Sequence, residues 1–91
     1  MSRAASTFRV IGRVQGVWFR ASTVEVAERL GATGWVMNRA DGSVEGYVEG
    51  TRAQVDALID FVRRGPEMAY VAECHVEPAL VAGCSRFEIR K

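Results

Sequence analysis

Polar and apolar residues alternate from Thr7 to Val14, with Phe8, Val10, Gly12 and Val14 on one side and Thr7, Arg9, Ile11 and Arg13 on the other. This pattern predicts a strand with one face on a core. Gln15-Gly16 interrupts it. Phe19, Thr23, Val26, Ala27 and Leu30 then recur at helical spacing, and Ser22 with Glu25 has the spacing of a capping box, which puts the helix start between Phe19 and Ser22. Gly31 is expected to end that helix in a left-handed conformation. Two short strand patterns follow, Gly34–Asn38 and Ser43–Glu49, with Asp41-Gly42 between them as a hairpin turn. Thr51 and Gln54 make a second capping box, ahead of an apolar stripe at Val55, Leu58, Ile59 and Val62 that Gly65-Pro66 stops. Tyr70 to Glu77 alternates again up to Pro78, and Ser85–Arg90 supplies a last short strand through Phe87 and Ile89.

The element order β-α-β-β-α-β plus a short extra strand predicts an α+β, ferredoxin-like sandwich: an antiparallel sheet with two helices on one face and water on the other. Residues 1–91 are expected to form one domain, with about 1–6 as a flexible N-terminal tail. Composition narrows the picture further. The chain has 48% hydrophobic and 25% charged residues and a net charge of +1, which is the balance of an ordinary globule. A nucleic-acid protein working through bulk charge would carry a basic excess, so no nucleic-acid partner is expected. No apolar run reaches membrane-spanning length, and the first residues lack the apolar core of a secretory signal, so a cytoplasmic protein without membrane contact is expected. Cys74 and Cys84 read as free thiols, and no Cys/His spacing suggests a metal.

This layout hosts enzymes, RNA binders and metal carriers, so activity must be argued from a site. The first candidate is Gly12-Arg13-Val14-Gln15-Gly16-Val17-Trp18-Phe19-Arg20, where a strand enters a short glycine-bearing loop that opens directly into a helix. Such a junction leaves main-chain N–H groups free to converge on an anion, and Arg20 can add a planar fork of donors. The plainer alternative is a tight turn beside a solvated arginine. Asn38 is the second candidate, at the mouth of the Asp41-Gly42 hairpin; its amide can hold and direct a water, or simply bond its own turn.

Taken together, Gly12-x-Val14-Gln15-Gly16-Val17-x-Phe19-Arg20, Gly34-Trp35-Val36-x-Asn38-x-x-Asp41-Gly42-x-Val44, Gly65-Pro66 and Phe87-x-Ile89 resemble the acylphosphatase family. The resemblance runs from about Phe8 to Arg90. It implies hydrolysis of acyl phosphates to a carboxylate and inorganic phosphate by a small monomer, with no metal or cofactor. It further implies that the loop Gln15, Gly16, Val17, Trp18, Phe19 and Arg20 binds the phosphoryl group and that Arg20 holds its oxygens. Asn38 would then orient the attacking water. Trp18, in a variable slot of the loop, and Arg39 depart from the pattern without touching Arg20 or Asn38.

The reaction suits such a sparse set of groups. A carboxylate leaving group is already stable at neutral pH and needs no general acid. Phosphoryl transfer passes through a loose transition state that is served chiefly by positioning and electrostatics, each well-placed donor contributing roughly 2.7–4 kcal/mol. Other residues are expected to be quieter. His75 reads as structural or exposed, and Glu45/Glu49 and Glu73/Glu77 as solvated. Trp18 and Trp35 read as packing residues near the site, with Trp18 a possible acyl contact. Two other readings stand beside the main one: a carbamoyl-phosphate-binding or regulatory domain, and an RNA-binding module. The latter is opposed by the acidic, aromatic-poor stretch Ser43–Glu49.

Overall fold

The computed structural model describes residues 3–91. In chain order the elements are β1 (Ala4–Arg13), α1 (Phe19–Leu30), β2 (Thr33–Asn38), β3 (Val44–Gly50), α2 (Arg52–Arg64), β4 (Tyr70–Pro78) and β5 (Phe87–Arg90). They form one five-stranded sheet in the order β4-β1-β3-β2-β5. Both helices lie on one face. The core between them holds Phe8, Val10, Val36, Val44, Val48 and Phe87 from the sheet, with Phe19, Ala27, Val55, Leu58 and Val62 from the helices. Burying such side chains contributes about 1.5–3 kcal/mol each relative to exposure. No helix of the described residues is long and apolar enough to cross a membrane.

The chain enters the sheet earlier than the alternation suggests. Ala4, Ala5 and Ser6 pair with Gly50, Glu49 and Val48, so residues 4–6 are part of β1 rather than a tail. These small side chains carry little hydrophobic signal, and their pairing comes from the ladder itself. Met1 and Ser2 lie outside the described residues.

α1 starts at Phe19, inside the expected window of Phe19 to Ser22, but not through the expected capping box. Ser22 and Glu25 sit within the helix, and the N-cap is Trp18, with φ 65° and no side-chain cap. The chain therefore bends into the helix through backbone conformation instead of a hydroxyl cap. Gly31 does close α1 in the left-handed region (φ 80°, ψ 17°). Thr51 and Gln54 form a true capping box on α2, the Thr51 hydroxyl accepting from the Gln54 N–H at 3.1 Å and the Gln54 carboxamide accepting from the Thr51 N–H at 2.8 Å.

The sheet is mixed, not wholly antiparallel. β1 and β2 each run antiparallel to β3, whereas β5 runs parallel to β2, pairing Val36 with Ile89. The reason is geometric. β4 is antiparallel to β1 and finishes at the end of the sheet where β2 begins, so a connection crossing that end can only re-enter in the direction of β2.

That connection, residues 79–86, covers part of the face expected to meet water. Ala79 N–H donates to the Ala5 carbonyl, and Gly34 N–H to that of Arg86, each at 3.0 Å. Beneath the crossing lie Tyr47, buried, and Glu49, with no exposed surface, so the expectation of a solvated Glu49 is overturned. The Glu49 carboxylate accepts from the main-chain N–H groups of Ala82, Gly83 and Cys84 at 3.1–3.2 Å and from the Arg3 guanidinium at 3.0 Å. The Tyr47 hydroxyl lies 3.0 Å from the same carboxylate and 2.7 Å from the Leu80 carbonyl. Burial alone would raise the Glu49 pKa. These donors, led by the Cys84 amide and Arg3, outweigh it and hold the value at about 2.

Candidate active site

β1, β2 and β5 point the same way, so their C-terminal ends meet at one rim of the sheet, where α1 begins. A hollow of about 370 Å³ opens there, lined by Val14, Gly16, Trp18, Phe19, Arg20, Ala21, Asn38 and Ile89. Each lining residue is delivered by a local feature. A bulge between Ile11 and Gly12 shifts the register of β1 against β4 just before the loop. Gly12 sits at φ 141°, and a Cβ there would run into the Tyr70 carbonyl, so only glycine fits this close strand crossing.

In the loop, Gly16 has φ 75° and Trp18 φ 65°, while Val17 between them is not in the positive region. Alternation of this kind turns successive N–H groups toward one side, making a concave nest of donors. A Cβ at Gly16 would meet nothing within 4 Å, so glycine is needed there for its conformation and not for space. The nest continues into α1, whose first intrahelical bond runs from Ser22 N–H to Trp18 O. Among the described residues, the main-chain N–H groups from Gly16 to Ala21 have no protein acceptor. Arg20, in the first turn, makes no ion pair or hydrogen bond with any described residue. It is also the only ionisable residue lining the hollow.

Opposite, Asn38 ends β2 on the helix-facing side. Its Oδ1 is buried and has no hydrogen-bond partner. Leaving such an atom unmatched costs about 1–3 kcal/mol, so an unpartnered carboxamide oxygen in a hollow marks a place for water or ligand. The other buried orphan among the described residues, Thr33 Oγ1, sits at the far end of the same strand.

Not every residue of the expected loop brings its side chain to the hollow. The Gln15 carboxamide turns to the hairpin, donating to the carbonyls of Arg39 (2.8 Å) and Ser43 (3.0 Å), and so ties the loop to the strand end that carries Asn38. Val17 packs against the core. Gly16, Trp18, Phe19, Arg20 and Asn38 do come together. Trp18 is not a packing residue; it is 77% exposed at the rim. Trp35 lies on the opposite face, stacked on Tyr47 and covered by the Arg90 guanidinium 4.8 Å from its ring centre.

The hairpin is braced in turn. Asp41 accepts from the Ser43 hydroxyl (2.6 Å) and N–H (2.9 Å) and pairs with Arg9 at 2.7 Å. These contacts, the Ser43 hydroxyl foremost, hold the Asp41 carboxyl well below the usual carboxylate range. Val14, inside the candidate junction, lines the hollow as well, and Ala21 and Ile89 line it from outside the expected set. For Ile89 the signal was an apolar residue on a strand whose neighbour the pattern does not reveal. No group of three or more His, Cys, Asp or Glu among the described residues is arranged to hold a metal. His75 is exposed and 3.0 Å from Glu73, while Cys74 and Cys84 are unpaired, with thiols pushed up by burial.

A seat of free amides, one free guanidinium and an aimed carboxamide suits a tetrahedral anion and a water. Comparison with known proteins points the same way. The acylphosphatase family model matches residues 6–89. An acylphosphatase of Gloeobacter violaceus is 49% identical over 78 residues, spanning 86% of this chain and 84% of the relative. One from Pseudomonas paraeruginosa is 47% identical over the full length of both. The solved structure of an acylphosphatase from Coxiella burnetii superposes with a TM-score of 0.92 at 36% identity, covering 97% of this chain and 93% of that one.

Proposed function

The chain belongs to the acylphosphatase family and hydrolyses acyl phosphates, and from that premise we propose how its hollow does so. The phosphoryl group sits in the nest, its equatorial oxygens taking the N–H groups of the Gly16–Ala21 segment and the fork of Arg20. Gln15 serves this seat from outside, by fixing its distance to Asn38. The water is held by Asn38 Oδ1, which accepts a hydrogen bond from one of its O–H groups and so turns an oxygen lone pair toward phosphorus. Attack in line breaks the bond between phosphorus and the acyl oxygen. The carboxylate departs as a stable anion, and the water's proton passes to a phosphoryl oxygen, giving inorganic phosphate.

The protein's contribution is thus pre-arranged charge and orientation, which a loose transition state rewards most. The observation that carries this reading is the buried, partnerless Oδ1 of Asn38, a residue that lines the same hollow as the unpaired Arg20. The reading needs no metal, because the leaving group requires neither protonation nor a Lewis acid. It describes a cytoplasmic monomer acting on a small molecule, with no nucleic-acid partner.

Steady-state kinetics with benzoyl phosphate test it. Asn38→Ala should lower kcat about 10²–10³-fold while the inhibition constant of orthophosphate stays put. Arg20→Ala should weaken orthophosphate and slow turnover together, and a chelator should change nothing. Undiminished turnover in Asn38→Ala would remove the water-orienting role.

A further inference from the structure

The hollow has two unlike halves. Gly16, Arg20 and Asn38 make the polar side, whereas Val14, Trp18, Phe19, Ala21 and Ile89 bring uncharged, largely apolar side chains, the Trp18 indole N–H being their one polar group. The phosphoryl seat uses the polar side completely, and its one charge, Arg20, is committed to phosphate oxygens. What remains of the 370 Å³ is walled by uncharged groups. Val14 and Phe19 are fully buried and belong to the core, so they form the floor. Ile89 (43% exposed) and Trp18 (77% exposed) have surface still to cover, and they form the walls.

The placement of Ile89 follows from the parallel pairing of β5. It lies beside Val36, on the helix-facing side of the sheet, two residues before the level of Asn38. Neighbouring charges on β5 point away. Arg90 lies over Trp35, and Glu88 bonds Arg86 and Arg90 on the other face.

We infer that the Ile89–Trp18 wall is the subsite for the acyl group, and that it selects acyl phosphates whose acyl part is uncharged and apolar. This rests on the reading of the polar half as the phosphoryl seat. An apolar chain or ring leaving the phosphoryl group covers Ile89 and Trp18 and gains from their burial. Among the residues lining the hollow, an acyl part with its own carboxylate meets no cation except the one already engaged, and whatever part of it the wall covers loses water without a compensating charge. Ile89 is therefore a specificity-determining residue, supplied by a strand that contributes nothing to the anion seat.

The test compares butyryl phosphate with succinyl phosphate, which has the same carbon count and adds a terminal carboxylate. The wild-type protein should favour butyryl phosphate in kcat/KM by at least about tenfold. Ile89→Ala should lower kcat/KM for butyryl and benzoyl phosphate about tenfold and leave acetyl phosphate within about threefold. Ile89→Arg should reverse the order by raising the succinyl-to-butyryl ratio at least about tenfold. An orthophosphate inhibition constant unchanged in Ile89→Ala and not weakened in Ile89→Arg shows that each is folded with its seat intact. If both variants meet that condition and keep the wild-type substrate ratios, the subsite is elsewhere and the inference fails. Absence of wild-type turnover on every acyl phosphate would instead overturn the underlying reaction.

Discussion

Trp18 holds a conformation that a large side chain rarely adopts. A bulky residue in the left-handed region costs on the order of 1–3 kcal/mol, and here it lies where α1 opens onto the hollow. The strain has a use, since it turns the last loop amide inward without a side-chain cap competing for the same N–H groups. Nothing in a tryptophan announces this; glycine or asparagine would have. Gln15 is the opposite case, visible in the motif, with a carboxamide that turns to the hairpin and not to the hollow. Its bonds to Arg39 and Ser43 cross from loop to hairpin and set the spacing between two groups that, in the proposed reaction, act on one phosphorus atom. Gln15→Ala is therefore expected to cut kcat about ten- to a hundredfold while orthophosphate inhibition changes little, since the nest itself stays whole. Equal loss of both quantities would show that Gln15 shapes the seat instead.

The two helix starts separate a sequence signal that is used from one that is not. Thr51-x-x-Gln54 closes a reciprocal pair of hydrogen bonds, whereas Ser22-x-x-Glu25 lies inside α1, whose first turn is left open. Thr51→Ala should lower stability in urea unfolding by about 1 kcal/mol, and Ser22→Ala should stay within about 0.5 kcal/mol of the parent. Elements with strong periodicity, such as the Val55–Val62 stripe and the alternation of β1, could be read from the chain because burial imposes the period. The direction of β5 could not. Four residues alternating through Phe87 and Ile89 fit either orientation, and the path from 79 to 86 that decides it has no periodicity.

Across the whole molecule, the two ends of the sheet solve the same electrostatic problem in different ways. At one end, amides of a loop have no acceptor among the described residues and, in the proposed reaction, take the phosphoryl oxygens. At the other, the amides of Ala82, Gly83 and Cys84 already hold an internal one, the carboxylate of Glu49. Strand alternation alone puts Glu49 on the open face, so its burial could not be foreseen without the segment that covers it. Because the native fold holds its pKa near 2 against the ordinary 4.5, the folded state binds fewer protons than the unfolded chain between those values. Its stabilisation is complete above pH 4.5 and declines as pH falls toward 2, with Asp41 adding in the same direction. Glu49→Gln turns an acceptor into a donor facing N–H groups and should cost about 1–3 kcal/mol at pH 7. That difference should narrow over the same acid range, as urea midpoints measured from pH 7 to 2.5 would reveal.

β5 is only four residues long and sits at the sheet margin, bonded on one side alone. The row of amides that holds the acyl wall is thus the one most ready to exchange its hydrogens with solvent, while the ladders flanking β3 stay shut.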